Sequence, residues 1–339
     1  MLVRRVQTWR SRGLLLAGGV ALLAAQPAAA AIYTVNIENP LDIGTVAAGS
    51  SGDTVFRIDS GSGAVTVLSG AGRRVTGGSV RASVTVTCRH TRAGETTCDT
   101  ANVPIRVAIL GPVTGRARSF GAFNVTMGTA TMVGGASGGQ PLDFQIAPPG
   151  HNTPKTFVVG ADFPVAGDDS GLPTGLGENT FSVAALDGSG FSMGGDADRG
   201  RVRTLRALSI NATSDLNFGR IQIPASGSSK ITLNAGTGVR TVTGGAFAYP
   251  TPAPTRAAFT ISGEGNQQVS LTIPSSVVLT GPGSLTLNLT DNAPATPRLS
   301  GALGAPGTYS FNVGGVITIA PTTPIGAYSG VISVSVDYN

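Results

Sequence analysis

Two cysteines are the residues with the clearest chemistry in this chain. Cys88 and Cys98 flank a polar stretch, and residues 84–86 and 103–107 on either side alternate like strands. In an exported protein, an even pair that closes a short polar loop predicts a disulfide. The alternatives are a redox pair or a metal pair, but the spacing is too wide for Cys-x-x-Cys and no other thiol exists to complete a zinc site. We therefore expect a structural disulfide.

A second pattern matches the nucleophile elbow of hydrolases. Gly190-Phe191-Ser192-Met193-Gly194 has the form Gly-x-Ser-x-Gly, which works on a strand-to-helix turn with an acid and then a His downstream. His90 and His151 are the only histidines, and both lie upstream. We expect both on the surface, and we interpret the glycine-rich segment as a flexible connector without a catalytic residue.

Asp196-Ala197-Asp198-Arg199-Gly200 contains a fragment of a calcium-loop pattern. Calcium prefers six to eight oxygen ligands, and an EF-hand loop ends in a glutamate. Here Arg201 and Arg203 follow instead, so the segment is interpreted as a solvated linker. Asp168 and Asp169 similarly indicate a turn. The sequence predicts no metal and no cofactor.

Residues 1–30 have the pattern of a secretory signal peptide. A basic region precedes an apolar run at residues 14–25, and small residues follow at 28–31. The apolar run is too short to cross a bilayer of about 30 Å, and no later segment is a candidate membrane span. We expect an exported protein, located in the periplasm, at the cell surface or outside the cell.

The charge of the chain lies largely in that leader. Residues 1–30 hold four Arg and no acidic residue, so their removal lowers the formal net charge from +5 to +1. A nucleic-acid partner, which a basic chain would favour, is therefore not predicted.

The remaining chain has the period-two alternation of strands, with Gly and Pro between the apolar runs. No segment has a convincing helical period with caps. In the carboxy-terminal part we expect strands at residues 208–212, 216–221, 230–234, 257–262, 269–273, 284–290, 309–319 and 328–338. The pattern predicts an all-β fold of the immunoglobulin-like β-sandwich kind.

Three matches in the same order predict that one domain occurs twice. The matched segments are Leu41-Asp42-Ile43-Gly44 with Leu216-Asn217-Phe218-Gly219, Arg74-Val75-Thr76-Gly77-Gly78 with Val242-Thr243-Gly244-Gly245, and residues 157–165 with residues 311–319. We expect two immunoglobulin-like β-sandwich domains in tandem. The first covers residues 31–187 with the disulfide, residues 188–204 form a Gly/Asp/Arg linker, and the second covers residues 205–339.

The last residues of the chain carry the sharpest functional signal. Ile332, Val334, Val336 and Tyr338 alternate with polar residues, and Gly326 precedes them. The final strand of an ordinary half-buried sandwich would show the same alternation. Aligning Gly175 with Gly326 places Asp187 opposite Tyr338, so the first copy lacks the closing aromatic residue.

This ending resembles the carboxy-terminal signature of chaperone–usher pilus subunits, with Tyr338 as the penultimate tyrosine and Gly326 at the fourteenth place from the end. The resemblance implies an incomplete sandwich whose groove is filled by β-strand addition. The implied partners are a periplasmic chaperone and neighbouring fibre subunits. The predicted mature N-terminus runs directly into the first repeat, whereas pilus subunits that donate a strand carry an extension before their own domain. This departure suits a tip subunit, and it equally suits a secreted protein whose sandwiches are complete and never exchange strands.

A second resemblance covers residues 208–339. Asp215-Leu216-Asn217-Phe218-Gly219, residues 238–245, Phe311-Asn312-Val313-Gly314-Gly315 and the Gly326 ending resemble the exported bacterial family known as domain of unknown function 4402. Residues 31–187 match that pattern more loosely. The resemblance implies a secreted β-domain without an established activity.

Together these features predict a non-enzymatic surface or fimbria-like structural or adhesion protein, assembled through its second domain. Gly326, Ile332, Val334, Val336 and Tyr338 form the candidate assembly strand. The alternative is a free secreted binding module, for example for polysaccharide, with complete sandwiches that never exchange strands. No segment combines a nucleophile, a base and an orienting group, so an enzyme is not predicted.

Overall fold

The computed structural model describes residues 31–77 and 81–339, and the chain there is almost entirely β-structure. The predicted leader, residues 1–30, and Gly78 of the second repeat match lie outside the described residues. Within those ranges, α1 (Thr97–Thr100) and a 3-10 turn (Asp168–Ser170) are the helical elements. None of the described helices is long and apolar enough to cross a bilayer. The expectation of an all-β fold is confirmed.

Residues 31–205, the first half, form two sheets that pack on each other. The strands in chain order are β1 (Ala31–Ile37), β2 (Leu41–Ala47), β3 (Thr54–Ile58), β4 (Val65–Ser69), β5 (Arg73–Thr76), β6 (Ala82–His90), β7 (Val103–Ile109), β8 (Phe123–Met127), β9 (Met132–Gly138), β10 (Leu142–Ile146), β11 (Lys155–Val165), β12 (Gly175–Leu186) and β13 (Ser192–Leu205). One sheet has the order β1-β6-β11-β3-β4, with β8 also paired to β11. The other has the order β5-β2-β13-β12-β7-β10-β9.

The predicted linker is wrong, because most of residues 188–204 belongs to β13. This strand pairs antiparallel with β12 and parallel with β2. Its inward positions include Gly200, which lies against the rings of Phe120 and Phe163, and the buried Val202. In residues 199–203, Arg alternates with Gly and Val, which is typical of a strand. The Gly, Asp and Arg content of the whole segment is also typical of a solvated linker. Residues 206–208 alone separate β13 from the next strand.

Residues 209–339, the second half, contain one large sheet and two small ones. The strands are β14 (Ser209–Ser214), β15 (Ile221–Gln222), β16 (Ser229–Leu233), β17 (Arg240–Thr243), β18 (Phe247–Ala248), β19 (Ala257–Glu264), β20 (Val269–Thr272), β21 (Ser276–Thr280), β22 (Ser284–Asp291), β23 (Pro306–Ile319) and β24 (Ser335–Tyr338). The large sheet has the order β14-β19-β23-β16-β17, with the β21–β22 hairpin added to β23. The small sheets are β15-β18 and β20-β24.

Several contacts recur in the two halves. The guanidinium of Arg81 donates to the carbonyls of Ser60 and Gly61 in the turn after β3, and Arg256 donates to the turn after β16 at Ala235 and Gly236. A Cβ at Gly160 of β11 would overlap the backbone after β3, and a Cβ at Gly314 of β23 would overlap the backbone after β16. These recurring contacts support the duplication, which remains a proposal.

The second of the three repeat matches is corrected by the strand pairing. Arg74 and Thr76 lie in β5, which pairs with β2, whereas Val242 lies in β17, which pairs with β16. The strand that pairs with β3 in the first half is β4. A shared Val-Thr-Gly-Gly string therefore marks two different strands, because short β-sequences with similar turns look alike.

Candidate functional site

The second half has a gap at the place where β13 lies in the first half. In the first half, β13 lies between β2 and β12 and joins β5, β2, β12 and β7 into one sheet. In the second half, β15 pairs with β18 and β24 pairs with β20, but no described strand joins these two pairs. One sheet of the sandwich is therefore divided into two ribbons.

A groove of about 1080 Å³ lies between the β15 side of the second half and the segment that precedes β24. Residues 214–223 form one wall and residues 323–332 form the other. Side chains from β19, β21, β22 and β23 form the floor. The apolar residues that line the groove are Leu216, Phe218, Ile221, Ile223, Ala257, Phe259, Leu279, Leu285, Leu287, Ile317 and Ile319. Such a surface costs free energy when water fills it, at roughly 25 cal/mol per Å² of apolar area.

The wall at residues 323–332 is held by few backbone contacts. Ser329 exchanges two backbone hydrogen bonds with Thr280 of β21, at 2.8 and 2.9 Å, which gives an isolated bridge rather than a strand. The side chains of Ile325 and Val331 are both 81% exposed. In the first half, the strand at the matching position is β12, which pairs with β13 along its whole length and with β7 at residues 181–185. The difference agrees with a missing neighbour on the groove side.

The five residues of the candidate assembly strand lie in two places. Gly326 and Ile332 line the groove. Val334 and Val336 pack in an apolar cluster near the connection between the halves, and Tyr338 is a buried member of the same cluster. The predicted strand at residues 328–338 is shorter in the structure, where β24 begins at residue 335. Residues 328–334 pair with another described strand only through Ser329, at the bridge to Thr280.

Tyr338 is the most constrained side chain of this segment. Its hydroxyl donates to the carbonyl of Arg206 at 3.0 Å and accepts from the backbone N–H of Glu264 at 2.7 Å. Burial is the main cause that raises the pKa of Tyr338 to about 12. The hydroxyl is therefore neutral over the physiological range and acts as a structural donor and acceptor.

The structure contains the predicted disulfide between Cys88 at the end of β6 and Cys98 in α1. Cys98 also lies close to the ring nitrogens of His90 and His151, in a set of side chains that metals often use. However, its sulfur is bonded to Cys88. In addition, His90 Nε2 accepts the Cys98 N–H at 3.2 Å and His151 Nδ1 accepts the His90 N–H at 3.1 Å. The stacked imidazoles therefore serve as acceptors that hold the disulfide loop.

The Gly-x-Ser-x-Gly segment is a β-hairpin rather than a nucleophile elbow. Gly190 lies in the turn between β12 and β13, and Ser192 begins β13 opposite Leu186. Asp196 Oδ2 accepts the backbone N–H of Ile37 at 2.8 Å, so this carboxylate joins β13 to β1. The Asp and Ser residues here have structural roles.

Sequence reasoning did not identify the groove walls. In the sequence, Leu216 and Phe218 mark a strand, a repeat match and the family resemblance, and Ile317 and Ile319 mark a strand and a repeat match, but neither pair indicates a groove. The available signal is the unequal number of strands, because residues 209–339 contain no described counterpart of β13. That signal was hidden when residues 188–204 were interpreted as a linker.

Comparison with known proteins gives a family match and several weak structural similarities, two of which follow. Residues 208–338 match a family model described as Domain of unknown function (DUF4402). None of the curated proteins matches the chain. The CsuC–CsuE chaperone–tip adhesion subunit pre-assembly complex from archaic chaperone–usher Csu pili of Acinetobacter baumannii has 12% identity, covering 90% of this chain and 100% of that chain, with a TM-score of 0.27. A chaperone–tip adhesin complex of CFA/I fimbriae biogenesis has 9% identity, 90% and 98% coverage, and a TM-score of 0.22.

Proposed function

We propose that this chain is a non-enzymatic, exported, fimbria-like structural or adhesion protein whose second half accepts a β-strand from another polypeptide. The observation that carries the proposal is the open apolar groove between residues 214–223, which include β15, and residues 323–332, which precede β24. The first half supports the proposal, because there β13 occupies the corresponding position as an extended strand.

The geometry indicates how an incoming strand would bind. A strand between residues 216–223 and 326–338 would pair its backbone with both walls and place alternate side chains on the apolar floor. Backbone hydrogen bonds then supply affinity, and the alternating side chains supply register. In the first half, β13 runs antiparallel to β12 and parallel to β2. We propose the same direction for the strand in the second half.

The two halves would then have different roles. We propose that they are duplicated immunoglobulin-like sandwiches, of which the first is closed by its own β13 and by the Cys88–Cys98 disulfide. The first half is the outer, exposed domain, and the second is the attachment domain. A periplasmic chaperone and a neighbouring fibre subunit are the proposed sources of the strand.

An intramolecular donor tests the groove directly. A turn copied from residues 187–191 is added after Asn339, followed by a strand in which Ile and Thr alternate. The matched control carries the same turn and a strand of equal length in which Asp and Thr alternate. Burial of a few Ile side chains stabilises by roughly 3 kcal/mol after ordering costs, so the Ile strand should raise the melting temperature of the second half by about 5 °C or more.

The two extensions also separate the proposal from its alternative. The Ile strand should reduce binding of an apolar dye to the second half, and the Asp strand should not. Equal melting temperatures and equal dye binding for the two extended chains would contradict strand acceptance. That result would instead favour a free secreted binding module.

A further inference from the structure

The connection between the two halves is held by acidic side chains from both of them. The backbone N–H of Ala207 donates to Asp168 of the first half at 2.8 Å, and that of Arg206 donates to Glu264 of the second half at 3.2 Å. Asp168 is in turn paired with Arg116, whose side chain is 1% exposed. The orientation of residues 206–208 is therefore set jointly by the two halves.

Glu264 is fully buried and collects donors from three segments. Its carboxylate accepts from the Thr174 hydroxyl of the first half at 3.0 Å and from the Gly304 N–H at 2.6 Å, besides the Arg206 N–H. Arg206 Nε lies 3.7 Å from Glu264 Oε2 and, among the described residues, has no hydrogen-bond partner. A shift of less than about 1 Å would bring this buried donor to hydrogen-bond distance. The junction thus has room to tighten.

Tyr338 connects this junction to the groove wall. It lies in β24, at the end of the segment whose earlier residues line the groove, and its hydroxyl bridges the Arg206 carbonyl and the Glu264 N–H. Apolar contacts follow the same route, because Val334 and Val336 of the second half share a cluster with Ala47 and Leu205 of the first half. Residues 326–338 therefore form one continuous stretch of backbone that contacts both the groove and the junction between the halves.

From this continuity we infer that filling the groove stiffens the junction and fixes the first half relative to the second, with Tyr338 as the transmitting side chain. The inference rests on the proposed function. A strand paired along residues 326–338 would extend β24 towards Gly326 and restrict the motion of Tyr338. Rigidity gained at one site then lowers the ordering cost at the other, and linkage makes the effect reciprocal.

Hydrogen exchange measures both ends of this coupling in one experiment. The chain with the Ile strand is compared with the Asp-strand control, each with Tyr338 and with Tyr338→Phe. The reporters of the junction are the amides of Arg206 and Ala207 and residues 168–174, and the reporters of the groove are residues 216–223. We expect the Ile strand to slow exchange at both sets by about 5-fold or more, the lower range of typical coupling.

The Tyr338→Phe chain separates transmission from strand binding. It should keep the protection of residues 216–223 and lose the added protection of the Arg206 and Ala207 amides. As a control, Arg73→Ala removes an exposed contact with Asp337 at the same junction and should leave the coupling in place.

The outcomes distinguish this inference from the proposed function. Protection of residues 216–223 without any change at the junction would overturn the coupling and leave strand acceptance standing. Junction protection that survives in Tyr338→Phe would overturn the role of this side chain. If the Ile strand protects neither set, strand acceptance and the coupling both fail.

Discussion

Replacing Glu264 by Gln tests the buried junction most directly. The variant keeps the size and shape of the side chain but removes its charge and replaces one acceptor oxygen with an NH2 donor. The carboxylate accepts three hydrogen bonds, from Thr174, Gly304 and the backbone of Arg206. A neutral amide oxygen can keep the two at Oε1, whereas the NH2 group would oppose the Arg206 N–H.

The magnitude follows from these contacts. A hydrogen bond to a charged group contributes about 1.5–3 kcal/mol, a neutral one contributes about 1 kcal/mol, and an unsatisfied buried donor costs about 1–3 kcal/mol. Because Glu264 is fully buried, solvent does not replace the lost partners. We therefore expect Glu264→Gln to lower the free energy of unfolding by about 3 kcal/mol, the range found when one partner of a buried pair is removed.

Urea denaturation, followed by far-UV circular dichroism, measures the loss. Because the two halves share an apolar cluster across the junction, we expect their unfolding transitions to overlap in the wild type and to separate in the variant. The matched control is Glu178→Gln on the surface of the first half, where the carboxylate faces Arg199 and Arg201. That variant should lose about 1 kcal/mol or less. A Glu264→Gln chain within about 0.5 kcal/mol of wild type, with transitions that overlap as in wild type, would refute the reasoning.

Three further predictions address the last strand, the disulfide and β13. Because burial raises the pKa of Tyr338 to about 12, its contribution to stability is present below pH 10 and is lost between pH 10 and 12. By linkage the loss is roughly 2–3 kcal/mol, and Tyr338→Phe should flatten this part of an alkaline unfolding series. Replacing Cys88 and Cys98 by Ala should cost about 3 kcal/mol in thermal unfolding of the first half and leave the second half unchanged. Gly200→Val would place a side chain against Phe120 and should lower the free energy of unfolding by about 2 kcal/mol. The control Gly188→Ala, at a position with open space, should unfold like wild type. Equal losses of stability for both glycine variants would contradict the packing of β13.

The class of the fold was predictable because its signal is local. Period-two alternation places apolar side chains on one face of a strand whatever the strand pairs with, and it located β19, β20 and β22 to within about two residues. The disulfide was predictable for a similar reason, since Cys88 and Cys98 are close in sequence and the pairing had no competitor. The two predictions needed no information about distant contacts.

The groove and the junction could not be predicted in the same way. Residues 192–205 have the composition of a linker, and they become β13 because Gly200 fits against Phe120 and Phe163, two rings that come from distant parts of the chain. In the first half, β13 lies between β2 and β12, and the second half has no described strand at the matching position. The groove arises from the arrangement of strands around it, which no single segment encodes.

The amino-acid sequence by itself determined the all-β class, the candidate disulfide pair and the special character of the last strand, since these depend on residues near one another. The tertiary structure alone decided what that last strand does. Tyr338 belongs to the proposed assembly strand, and the structure adds that its hydroxyl bonds Arg206 and Glu264, 132 and 74 residues away. Such contacts depend on how two sandwiches meet, and side-chain alternation along a strand carries no information about that arrangement.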